Sequence, residues 1–130
     1  MLEACLRLAR QQLVGSGDFA PFALVTDNDG RLLAVDLDTS ALGKHPEMDA
    51  LADATAARLR TLSSEVRGTA LALDTRLSRE RTDAIEVRVE HREGLALLVL
   101  LPYRRPRFGG TVEYGDAKVF PGDRDVWPTT

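Results

Sequence analysis

Three short stretches carry side chains that could do chemistry. His45-Pro46-Glu47 sets an imidazole and a carboxylate on either side of a proline. An imidazole and a carboxylate so close raise the question of a metal site against an ordinary helix start. Glu90-His91 offers an adjacent acid and imidazole, with Asp74 as a second carboxylate the fold could bring near. Such a group is a general acid–base candidate. The third stretch, from Pro102 to Phe108, interleaves Tyr103, Arg104, Arg105 and Arg107 with two prolines. Guanidinium groups beside aromatic rings can grip a phosphate or an acidic partner surface.

Each stretch also has a plain structural reading. Pro46 suits the first position of a helix, and Glu47 and Asp49 suit the positive end of its dipole. His45 then stands at the cap. A catalytic zinc needs three protein ligands and a water. Cys5 is the only cysteine, and His91, the only other histidine, falls in a different predicted element. We therefore read His45–Glu47 as a helix start and expect no zinc and no cofactor. His91 reads equally as a strand-end residue beside a turn. The arginines of the third stretch read equally as solvated loop residues that keep a sheet edge soluble. Arg76, Arg79 and Arg81 form a second, weaker basic loop. Ser63, Ser64 and Ser78 lie in turn-like contexts, so no nucleophile stands out. Gly109-Gly110 is not followed by a helix, which argues against a phosphate loop.

Elements must position these groups, and the apolar pattern predicts them. Leu2, Cys5, Leu6, Leu8, Ala9 and Leu13 form a helical stripe that stops at Gly15-Ser16-Gly17. Two apolar runs around Asp27-Asn28-Asp29-Gly30 predict a hairpin over 21–37. Met48, Leu51, Ala52, Thr55, Leu59 and Leu62 recur at helical spacing, predicting a helix over 46–62. The stretch 68–77 reads as a strand. Residues 84–102 predict a second hairpin turning at Glu93-Gly94. Its first strand alternates, with Ile85, Val87, Val89 and His91 on one side. Its second is apolar at both parities. A last strand is expected within 110–120, and a tail after it.

The order α-β-β-α-β-β-β-(β) predicts an α+β domain spanning 1–130, an antiparallel sheet with both helices packed on one face. The second face then needs a cover. A symmetric partner is the economical source, with a folded-back segment containing Val126 and Trp127 as the alternative.

Composition narrows the classes. The chain has 130 residues, 17 basic and 20 acidic, for a net charge of −3. No global field recruits nucleic acid or an anionic membrane, so neither is an expected partner. The apolar run from Leu95 to Tyr103 is far shorter than the roughly twenty residues of a membrane helix. The N-terminus has charges inside its apolar pattern and no uninterrupted leader core. A single cysteine excludes an internal disulfide, and a cytoplasmic location is expected.

Resemblances add to this reading. The element order is similar to that of profilin-like and roadblock-like domains. The first half, ending in "HPEMDALADAT", resembles the start of the nucleobase-deaminase fold, whose H-x-E supplies a zinc ligand and a proton shuttle. The cysteine pair of that family is missing after position 5. The stretch "TDAIEVRVEHREGLALLVLLPY" resembles a family of small bacterial proteins with a T-D-A-I-x-V-x-x-E-H-R-x-G core followed by P-Y. That resemblance implies a bacterial, cytosolic protein and carries no mechanism. It makes Thr82, Asp83, Glu90, His91, Arg92 and Tyr103 candidates for a common site.

Three functions follow in order of economy. The first is a non-enzymatic interaction module, working as a homodimer or with a protein partner. The second is a binder of an anionic small molecule or peptide at Tyr103, Arg104, Arg105 and Arg107. The third is a metal-independent or degenerate deaminase-like enzyme, using Glu90 with His91 or His45 with Glu47.

Overall fold

The computed structural model describes residues 1–16, 19–36, 43, 47–105 and 110–128. Their elements follow in chain order as α1 (Leu2–Ser16), β1 (Phe22–Asp27), β2 (Leu32–Ala34), α2 (Met48–Thr61), β3 (Val66–Leu77), β4 (Thr82–His91), β5 (Ala96–Arg104), β6 (Glu113–Tyr114) and β7 (Lys118–Pro121). The strands form one antiparallel sheet in the order β2-β1-β3-β4-β5. Two short strands share the outer side of β5, β6 against Tyr103–Arg104 and β7 against Leu97–Leu100. The α+β class and both predicted hairpins are present.

Local chemistry fixes the turns. In the β1–β2 hairpin the Asp27 carboxylate accepts the backbone N–H of Asp29 and of Arg31, each at 2.9 Å. Gly30 follows at φ 89°, a conformation that favours glycine. The β4–β5 turn is closed by Gly94 at φ 124°, with its N–H on the carbonyl of His91. The helix expected over 46–62 runs from Met48 to Thr61, with Glu47 at its N-cap. The last expected strand is two short ones, interrupted at Gly115.

The two helices lie on opposite faces, not on one. α1 places Cys5, Ala9 and Leu13 against Leu24, Ala70, Ala72, Ile85, Val87, Val99 and Leu101. α2 places Ala56 and Leu59 against Ala23, Val25, Leu71 and Leu73 on the other side. The cause is β3. Its Ala70 and Ala72 are buried toward one face, and its Leu71 and Leu73 toward the other. A strand apolar at both parities needs a layer on each side. In β5, whose run is also apolar at both parities, Leu98 and Leu100 are only half-buried.

α2 does not extend over β4 and β5. Part of that surface is crossed by the segment after β7, which returns over the sheet and buries Val126 to 8% exposure. Trp127 packs beside it and donates its indole N–H to the carbonyl of Ser63 at 3.0 Å. The folded-back segment, the alternative source of cover, therefore shields part of the second face, while Leu98 and Leu100 stay half-buried.

Candidate functional site

Strand alternation decides the fate of the Glu90–His91 pair. Adjacent residues on a strand point to opposite faces. Glu90 turns toward the α2 side and is 4% exposed. Its carboxylate accepts the backbone N–H groups of Asp125 (2.8 Å), Val126 (3.0 Å) and Trp127 (2.6 Å). Three consecutive donors converging on one carboxylate form an anion-binding nest, here filled from within the chain. Arg124 and Arg60 add bonds from the same segment to the β4–β5 turn and to α2. Glu90 is the fastening of a strap.

His91 looks to the α1 side, half-buried, and its Nδ1 accepts the N–H of Glu93 at 3.1 Å. Asp74, considered as its partner, is opposite Ile85 in the sheet, whereas His91 is opposite Gly68. At about 3.3 Å per residue that separation along β3 is roughly 20 Å. The structure therefore keeps His91 apart from both carboxylates. Glu47 is exposed at the N-cap of α2 and its side chain makes no capping bond. His45 and Arg107 lie outside the described residues.

Tyr103 and Arg105 come together with a third residue that the sequence left elsewhere. The Tyr103 hydroxyl donates to Asp74 Oδ1 at 2.6 Å, and the ring is 1% exposed. Arg105 Nη2 donates to the same hydroxyl at 3.1 Å and approaches Asp74 Oδ2 at 3.5 Å. Burial pushes the Asp74 carboxyl up from its ordinary value, and the Tyr103 and Arg105 donors oppose that rise. Burial and the adjacent Asp74 push the Tyr103 hydroxyl far up. Burial alone would lower Arg105, but the Tyr103 hydroxyl and the carboxylates of Asp83 and Asp74 more than reverse it. Arg105 is a fixed cation, with 46% of its side chain exposed. Arg104 is exposed on β5, one residue out of phase with Tyr103.

Beside Arg105 opens a cavity of about 570 Å³ between the C-terminal half of α1 and the β5–β6 margin. Leu13, Val14, Val112 and Tyr114 give it an apolar wall, and Arg10 joins Arg105 on its lining. The Arg10 guanidinium lies 5.2 Å from the centre of the Tyr114 ring, a cation–π placement. Burial raises the Tyr114 hydroxyl, and the Arg10 charge opposes the rise. Binding pockets for small molecules are roughly 300–1,000 Å³, mostly apolar, with a few oriented polar groups. This cavity has those properties.

Arg10 was missed in the sequence, though a signal existed. Arg10, Leu13 and Val14 are spaced to share one helix face. Tyr114 was read only as part of a strand. Among the described residues no group of three His, Cys, Asp or Glu side chains is placed to hold a metal ion. No protein-family model matches the chain, and neither a curated protein nor a solved structure does.

Proposed function

We propose that this chain is a non-enzymatic binding module whose cavity between α1 and the β5–β6 margin takes an anionic ligand with an apolar body. The observation that carries the reading is the presence of Arg10 and Arg105 on a mostly apolar lining. A guanidinium matches the geometry of a carboxylate or sulfonate, and the wall of Leu13, Val14 and Val112 favours a hydrocarbon or aromatic body. Arg105 is held in place by Tyr103 and Asp74 before any ligand arrives, which lowers the ordering cost of binding. The non-enzymatic part is supported by where the carboxylates go. Glu90 fastens the strap, and Asp74 anchors Tyr103.

Anilinonaphthalene sulfonate, an anionic probe with an aromatic body, tests this directly. Native protein should enhance its fluorescence saturably, and decanoate should compete. Arg10→Glu should weaken the probe at least tenfold while the melting temperature holds, because Arg10 is an exposed helix residue. Equal binding by the native protein and Arg10→Glu would overturn the proposal.

A further inference from the structure

The two guanidinium groups on the cavity lining are not equivalent. Arg10 stands on α1 and forms no ion pair among the described residues. Arg105 is backed by Asp74, whose side chain is 9% exposed and whose Oδ2 lies 3.5 Å from its Nη2. The Tyr103 hydroxyl closes the arrangement, donating to Asp74 Oδ1 at 2.6 Å and accepting from Arg105 at 3.1 Å. Asp74 itself is not on the lining. It stands behind Arg105, where a ligand feels its charge without touching it.

Arg10 and Arg105 each bring one positive charge, and the Asp74 carboxylate cancels that of Arg105 at short range. Burial raises the Asp74 carboxyl, while the Tyr103 and Arg105 donors hold its ionised form. Asp83, the next carboxylate, is met by Arg76 at 3.4 Å. Glu113 is opposite Arg104 and one residue out of phase with Tyr114, so it takes the other face of the sheet. The cavity therefore presents close to one net positive charge beside an apolar wall. Attraction of a ligand head group to that charge grows in proportion to the ligand's own charge. The cost of desolvating the head group grows with the square. One negative charge is matched here. A second meets Asp74 behind Arg105 and no third cation on the lining.

Resting on the reading of the cavity as a ligand site, we infer that Asp74 determines its charge specificity. The site takes monoanionic amphiphiles, such as carboxylates or sulfate esters, and disfavours dianionic phosphate monoesters of the same shape. Discrimination of this kind comes from a repulsive element as much as from an attractive one, and Asp74 is that element. Arg105 keeps its directed N–H groups for the ligand, so orientation is retained while the surplus charge is removed.

Octyl sulfate and octyl phosphate share a chain and a tetrahedral head. At about pH 8 they differ by one charge, because the second phosphate pKa is about 6. Displacement of anilinonaphthalene sulfonate from the full chain, below micellar concentrations, compares them. Native protein should bind the sulfate more tightly. Asp74→Asn keeps an acceptor for the Tyr103 hydroxyl and removes the charge, so the ratio of affinities should move about tenfold toward the phosphate. Val14→Lys adds a cation at a lining position that is 79% exposed, and should move the ratio the same way. It keeps the test valid if Asp74→Asn unfolds. Tyr103→Phe loosens Arg105 at constant charge, so it should weaken both esters alike. Equal binding of the two esters by native protein overturns the inference. So does a native ratio in Asp74→Asn or Val14→Lys, or a ratio that moves as far in Tyr103→Phe. Failure of the cavity reading looks different: the probe then binds native protein and Arg10→Glu equally, and the inference falls with it.

Discussion

Glu90 is almost fully buried, and its carboxylate holds three backbone donors of the returning segment. Glu90→Gln keeps the shape but turns an amide N–H₂ toward some of those donors. It should cost about 2–4 kcal/mol, typical of lost hydrogen bonds to a buried charge. Urea melts would measure the loss, and Trp127 emission should shift to the red as the indole leaves Ser63. An unchanged melt would show that the strap is held elsewhere. Cys5 gives a pH-dependent counterpart. Burial, opposed by the terminal ammonium, pushes its thiol from 9.0 up to about 11. Folding therefore keeps the proton that the unfolded chain releases. This stability is complete below pH 9 and is lost as pH rises toward about 11, the loss amounting to roughly 2–3 kcal/mol. Comparing native protein with Cys5→Ala across that window isolates the effect, and parallel curves would contradict it. Cys5 was legible as a buried apolar residue from its place in a helical stripe. The role of Glu90 was not. Its partners are main-chain groups distant in sequence, and no side-chain pattern announces them.

At the level of elements, the path from β7 into the strap depends on one close approach. A Cβ on Gly122 would sit 2.9–3.1 Å from backbone atoms of Leu97. The obstacle is main chain, so it cannot swing aside. Gly122→Ala should destabilise the fold by about 1–3 kcal/mol, the usual cost of overpacking. Thermal melts check it, and a neutral result would mean that the β5–β7 pairing is dispensable. Periodicity located both hairpins, α1 and the body of α2, because alternation and helical spacing are local properties. It failed on which face each helix takes. The signal lies in Ala70-Leu71-Ala72-Leu73, apolar at both parities, but the longer run after Leu95 has the same property and is more hydrophobic. Alanine beside leucine on β3 reads as modest hydrophobicity, yet the small side chains are what let α1 approach the centre of the sheet.

For the whole molecule, the layers on the two faces of the sheet define what is left for function. α1 covers one face over β3 and β4, α2 covers the other over β1 and β3, the strap covers part of β4 and β5, and the cavity opens where α1 ends beside β6. No helix among the described residues is long and apolar enough to cross a membrane. The α+β class and antiparallel sheet were readable from element order. The site was half readable: Tyr103 and Arg105 stood out as an arginine–aromatic cluster, while Arg10, Asp74 and Tyr114 join them only through the folded chain. That assembly is the central claim, and amide chemical-shift mapping with decanoate tests it most directly. Titration should move the resonances of Arg10, Leu13, Val14, Arg105, Val112 and Tyr114 together, to one saturating curve, and leave β1 and α2 still. Shifts centred on another surface, or none at saturating decanoate, would contradict it.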